Sequence, residues 1–220
     1  MELAIYRSAS QINEAMARVY RHMSLAVVTS MIISFIVGTT PELLEFFFTG
    51  AMKWIVIFAP LVAVFVVTPI LANDPSPPVA ITALHAFAAL MGLSFATIFV
   101  IFTMGSIVTA FMGAAVLFGT MSAYGYFTKQ SLDSVGKYAF VALIAICIAS
   151  IINIFIGSTV MQMVISALAI VIFLALTAYD TQTIREMISS ESATYGDEVS
   201  GALTLYLDFI NLFINLLQLF

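Results

Sequence analysis

The sequence predicts an all-α integral membrane protein with seven transmembrane helices, and three observations predict it. Of 220 residues, 62% are hydrophobic and 9% charged, against roughly 45–50% apolar and about 25% charged in soluble domains. The apolar residues gather into seven runs, each close to the ~20 residues that cross ~30 Å of hydrocarbon. The polar stretches between them are short, so a single membrane domain, residues 1–220, accounts for the whole chain.

Residues 1–19 form a cytoplasmic or interfacial amino-terminal segment. Glu2, Arg7, Glu14 and Arg18 stand where a cleavable signal peptide carries a basic start and an apolar run, so the first membrane helix is expected to do the targeting. Ile12, Met16, Val19 and Met23 recur at spacings of four, three and four, which places them on one side of a helix. That pattern predicts an interfacial helix running into the first span; a plain polar tail is the alternative. The spans are read as Tyr20 to Gly38, Trp54 to Leu71, Val79 to Thr103, Ile107 to Phe127, Tyr138 to Ile156, Val160 to Tyr179 and Leu203 to Phe220. Only Met104, Gly105 and Ser106 separate the third from the fourth. One helix over both would reach about 73 Å at about 1.5 Å per residue, more than twice the hydrocarbon thickness, so the two are predicted to form a hairpin.

Orientation follows from the basic residues in the short flanks. Arg7, Arg18, Arg21, Lys129, Lys137 and Arg185 fall on the amino-terminal side and Lys53 falls opposite. This predicts a multi-pass protein of the inner (plasma) membrane with a cytoplasmic amino terminus and Phe220 outside. Thr181 to Ala202, with Arg185, Glu186, Glu191, Asp197 and Glu198, reads as a solvated cytoplasmic excursion too small for a catalytic domain.

Small residues recur at every fourth position in Ala88, Gly92 and Ala96, in Ala115, Gly119 and Ala123, and in Ala145, Ala149, Asn153 and Gly157. Such stripes let helix backbones approach in lipid and signal packing rather than function. Pro60 removes one hydrogen bond inside the second span and is expected to bend it. Trp54, Tyr124 and Tyr126 stand where interfacial aromatics belong. Cys147, between Ile146 and Ile148, reads as a small apolar core residue. With seven Lys and Arg and a net charge of -5, the chain has no basic patch to neutralise phosphates, which excludes nucleic acid as a partner.

Ionisable residues inside spans are costly and usually face a cavity or an ion path. Here they are His85, Asp180 and Asp208. The sixth helix runs inward and the seventh outward, so both carboxylates are expected near the cytoplasmic side at similar depth. The seventh span carries Thr204, Asp208, Asn211, Asn215 and Gln218 at spacings of four, three, four and three, one continuous polar face. Such a face points away from lipid: the helix is central or lines a hydrated path, with Thr204, Asn211 and Asn215 as candidate lining. The bland alternative is that these amides only hydrogen-bond across neighbouring helices. Carboxyls of Asp180 and Asp208 within hydrogen-bonding range would titrate as a coupled pair sharing one proton. Losing that proton leaves two like charges that repel and attract a hard cation, so both are candidate transient Ca²⁺ ligands, carboxylate and amide oxygens suiting that ion. His85, early in the third span, is a candidate third partner; the alternative is a neutral histidine satisfied by a backbone carbonyl or interfacial water.

Enzyme readings fail on the motifs. Paired intramembrane aspartates also occur in presenilin-like proteases, but Leu205-Tyr206-Leu207 replaces their Gly-x-Gly and no Pro-Ala-Leu segment follows. A serine protease dyad of Ser94 with His85 is excluded because nine residues turn a helix through about 900° and put the two on opposite sides. No Walker loop or dinucleotide fingerprint is present. No enzymatic activity and no resident cofactor are expected.

At Tyr179-Asp180-Thr181-Gln182 and Leu205-Tyr206-Leu207-Asp208-Phe209-Ile210-Asn211-Leu212-Phe213, the chain resembles the Bax inhibitor family of transmembrane Bax-inhibitor-motif proteins, in a small, bacterial-type form. The resemblance implies seven helices, six in two three-helix layers around a central carboxy-terminal seventh. It also implies a pH-sensitive calcium leak with Asp180 and Asp208 as the sensor, calcium as the permeant ion, and lipid, calcium and protons as partners. Related bacterial proteins close the pair with a basic residue at the cytoplasmic end of the second helix, whereas Val66 to Asp74 contains no Arg or Lys here. A competing expectation, from other bacterial relatives, is a non-conducting interaction protein that modulates a membrane-anchored ATP-dependent protease.

Overall fold

A computed structural model describes residues 7–220; Met1–Tyr6, and with them Glu2, lie outside the described residues. The described chain is helical apart from its short connections, and seven helices are long and apolar enough to cross a membrane. They are α1 (Ala9–Gly38), α3 (Met52–Ala72), α4 (Pro77–Ser94) continued through a 3-10 turn at Phe95–Thr97 into α5 (Ile98–Ile101), α6 (Met104–Phe127), α7 (Asp133–Ile156), α8 (Thr159–Ser189) and α9 (Tyr195–Leu217). The sequence reading did not anticipate the short α2 (Pro41–Phe48), which starts on Pro41 at its first turn, a position where proline costs no hydrogen bond.

The chain divides into two compact units: Met1–Thr103 with Glu186–Tyr206, and Met104–Arg185 with Leu207–Phe220. In the first unit the amino-terminal lead-in and the first span are one helix, α1. It opens on a capping box in which Ser8 and Gln11 satisfy each other's backbone N–H groups. Met16, Val19 and Met23 from the predicted stripe are buried, together with Ala15. The first small-residue stripe packs as expected: Ala88 and Ala96 are fully buried, and Gly92 lies so close to the Ser30 backbone that a Cβ would strike it. α3 runs unbroken through Pro60 and Pro69.

In the second unit Gly125 of α6 lies against the carbonyl of Ala178 on α8, and Gly136 of α7 lies under the Tyr179 ring. Phe111 of α6 packs edge-on against Phe209 and Phe213 of α9, and Phe118 against Phe209. The second stripe is corrected: Gly119 and Ala123 are exposed, and the packed face of α6 is Ala110, Ala114, Phe118, Ser122 and Gly125. A four-residue spacing drifts about 40° per step around a helix, so a small-residue stripe does not by itself say which neighbouring row packs. In the third stripe Asn153 is buried while Ala145 and Gly157 are exposed. Cys147 is exposed, not a core residue: α7 is the least enclosed span, and only 11% of its most apolar window is buried.

The largest difference concerns Thr181 to Ala202. α8 continues to Ser189 and α9 already begins at Tyr195, so the expected solvated excursion is mostly helix. α9 starts on a capping box in which Thr194 Oγ1 and the Asp197 carboxylate exchange hydrogen bonds with each other's backbone N–H, at 3.2 and 2.8 Å. Ile184 and Ile188 are buried, and Val199 and Ala202 are fully so. Their periodicity was masked in the hydropathy by the charges on the opposite faces. α9 is the most enclosed span, with 61% of its apolar window buried.

Candidate functional site

Asp180 lies inside α8, and each neighbour in the sequence is tied to another element of the same unit. Ala178 meets Gly125, and Tyr179 covers Gly136. Thr181 is buried with its Oγ1 3.0 Å from Ser122 Oγ. Gln182 spans the α6–α7 connection, its Oε1 accepting from the Leu132 N–H at 2.8 Å and its Nε2 donating to the Gln130 carbonyl at 2.9 Å. The run from Ala178 to Gln182 is thus pinned on α6, α7 and the loop between them. That fixes the rotation of α8 at Asp180.

Asp208 is set in α9 between Phe209, held by Phe111 and Phe118, and Leu207. It is 4% exposed. The structure places the two predicted carboxylates next to each other, each the neighbouring titratable group that acts on the other. Two neighbouring carboxyls can hydrogen-bond to each other only when one carries a proton, because an ionised carboxylate only accepts. The buried Oδ2 of Asp208 has no hydrogen-bond partner among the described residues.

The rest of the polar face of α9 is half-buried at Thr204, Asn211 and Asn215 and exposed at Gln218. Asn211 Nδ2 donates to the Leu207 carbonyl and Asn215 Nδ2 to the Asn211 carbonyl, both at 2.8 Å, so among the described residues these amide nitrogens bond to their own helix. Thr204 Oγ1 likewise donates to the Ser200 carbonyl at 3.2 Å. Gln218 does bond across, its Oε1 accepting from Gln162 Nε2 at 2.6 Å and Ser166 Oγ at 2.7 Å on α8.

His85 belongs to the first unit, where its Nδ1 is 2.8 Å from Thr29 Oγ1 on α1. Among the described residues, no group of three or more His, Cys, Asp or Glu side chains is arranged to hold a metal ion.

The family model described as inhibitor of apoptosis-promoting Bax1 matches residues 12–220. The chain belongs to the Bax inhibitor family. It is 33% identical over 210 residues to the inner membrane protein YbhL of Escherichia coli (strain K12), covering 93% of this chain and 90% of that protein. A membrane protein of Streptococcus pyogenes serotype M3 is 40% identical over 162 residues, 73% of this chain and 70% of its own length. A Deinococcus radiodurans protein is 31% identical over 217 residues, 97% and 92% of the two chains. As a Bax inhibitor family member the protein is a multi-pass membrane protein, so the exposed Leu, Ile, Val and Phe of its spans, Phe65 and Phe155 among them, meet lipid.

Sequence reasoning missed two features of this Bax inhibitor family chain. Tyr206, two residues before Asp208, is fully buried and its hydroxyl is 2.7 Å from Ser30 Oγ, which also lies 2.7 Å from the Ala88 carbonyl. Glu198, expected to be solvated, is 3% exposed and is gripped by Arg18, whose Nε and Nη2 donate at 2.7 and 2.6 Å. The capping box at Thr194-Tyr195-Gly196-Asp197 is the signal that would have placed Glu198 in a helix.

Proposed function

We propose that the protein is a pH-sensitive cation leak of the inner membrane, with calcium as the permeant ion and the proton shared by Asp180 and Asp208 as its gate. The observation that carries this reading is the placement of two carboxyls side by side, Asp208 buried, on two helices that each cross the membrane. With the proton in place the two side chains attract and hold α8 and α9 together. Without it two like charges face each other in a poorly solvated site and repel. Flux therefore rises with pH. An opened pair offers carboxylate oxygens to a passing hard cation, with Asn211 and Asn215 on the same face of α9. The ion is cargo, and the cycle needs neither a resident cofactor nor an enzymatic step.

The distribution of Arg and Lys supports a cytoplasmic amino terminus, and the inner-membrane location of the Escherichia coli relative supports the same membrane here. The test is calcium entry into dye-loaded proteoliposomes across a pH series, for the natural chain and Asp208→Asn. The natural chain conducts more at higher pH, and the variant loses the pH dependence. An unchanged profile in Asp208→Asn sinks the gating mechanism. Absence of flux at every pH replaces the leak by the reading in which the protein modulates a membrane-anchored ATP-dependent protease by binding.

A further inference from the structure

The first unit contains a buried ionic junction that nothing in the gating mechanism uses. Glu198 sits in the first turn of α9 and is 3% exposed. Arg18 of α1 meets both of its oxygens, Nε to Oε2 at 2.7 Å and Nη2 to Oε1 at 2.6 Å. Arg7 adds a guanidinium nitrogen 3.8 Å from Oε1, donates from Nη2 to the Ala193 carbonyl at 2.6 Å, and pairs its backbone N–H with the Ser189 carbonyl at 2.9 Å. One turn further along α1, His22 is buried with its Nε2 2.9 Å from the Tyr195 hydroxyl. The lead-in of α1 therefore holds the end of α8, the α8–α9 connection and the first turn of α9 at once. Other titratable groups within electrostatic reach of this corner are Glu14 and Arg21 on α1 and His85 on α4.

We propose that Arg18 and Glu198 form a clamp on the amino-terminal end of α9 that sets how closely Asp208 approaches Asp180. This rests on the proposed gate and specifies its regulation. Asp208 is ten residues beyond Glu198 on one uninterrupted helix, about 15 Å along its axis. A bidentate arginine–carboxylate pair fixes orientation as well as distance, so it resists both sliding and rotation of α9. Either motion would carry Asp208 off its partner. For Asp180 and Asp208 themselves, the charged group acting on each is the other; a change in their separation is therefore felt directly by the shared proton. The clamp is a positioning device, and Arg18 and Glu198 never touch the ion.

The experiment titrates the protonated carboxyl band of the reconstituted full chain by infrared difference spectroscopy, the band being identified by its loss in Asp208→Asn. It compares the natural chain, Arg18→Gln, and the charge-swapped pair Arg18→Glu with Glu198→Arg. Releasing the clamp separates the carboxyls and weakens their hold on the shared proton. The band then titrates at lower pH by about half a unit or more in Arg18→Gln, a threefold change in proton affinity at about 1.4 kcal/mol per unit. The swapped pair returns it toward the natural position. Arg18→Gln leaves the buried Glu198 with a neutral amide donor and with Arg7 3.8 Å away, and the swapped pair, which keeps both charges, shows whether any loss of fold comes from the stranded carboxylate. A midpoint unmoved in Arg18→Gln overturns the clamp, as does a swapped pair that restores thermal stability but not the midpoint. Calcium flux on the same samples separates the two proposals: a shifted band with no flux in any sample removes the leak and leaves the clamp.

Discussion

The Tyr206 hydroxyl of α9 and Ser30 Oγ of α1 stand 2.7 Å apart with both side chains buried. Ser30 also reaches the Ala88 carbonyl of α4, so one serine joins three helices of the first unit. The Phe87 ring packs edge-on against Tyr206. Replacing Tyr206 by Phe keeps the ring contact and leaves Ser30 its carbonyl acceptor, so only the Tyr–Ser bond is lost. The expected cost is about 1 kcal/mol, read as a small drop in thermal midpoint in detergent with no change in the pH dependence of flux.

Gly125 and Gly119 make an internal comparison on α6. A Cβ at Gly125 would strike the Ala178 carbonyl, two residues from Asp180, whereas a Cβ at Gly119 meets nothing within 4 Å. Gly125→Ala must push α6 away from α8 at an overpacking cost of roughly 1–3 kcal/mol. Gly119→Ala gains helix propensity and is neutral or stabilising. Equal effects from the two substitutions would contradict the close approach of α6 and α8.

Gln182 is buried and fills both halves of its amide in the α6–α7 connection. Gln182→Ala strands the buried Leu132 N–H and takes a donor from the Gln130 carbonyl, and a stranded buried group costs about 1–3 kcal/mol. Faster amide hydrogen exchange at residues 130–133 is the expected result, and protection unchanged there would refute the assignment.

The gating proton belongs to the pair and not to either residue. Asp180→Asn and Asp208→Asn should therefore abolish the pH dependence of calcium flux equally, since each leaves one carboxyl with a neutral amide neighbour at every pH. A retained profile in either one of the two would sink the shared-proton gate and leave the other carboxyl as the titrating group. As pH rises through the titration of the pair, the natural chain alone loses its inter-carboxyl bond and opens.

The helical class, the seven spans and the family were legible in the residues themselves. Lipid contact demands a length of apolar sequence that no soluble fold needs, and the runs around Asp180 and Asp208 are long enough to carry a specific resemblance. The pairing of those two aspartates was also within reach, because each stands near the same side of a hairpin-connected pair of spans. Helix ends were less legible: α8 and α9 extend into a stretch whose Arg185, Glu186, Glu191 and Asp197 lower its hydropathy, although Ile184, Ile188 and Val199 are buried on the other side. Which row of small residues packs on α6, that Cys147 is exposed, and that Glu198 is buried against Arg18 were decided by tertiary structure. Sequence periodicity defines the faces of a helix but not the neighbour each face meets, and a carboxylate is read as solvated until folding brings a guanidinium from 180 residues away to its side.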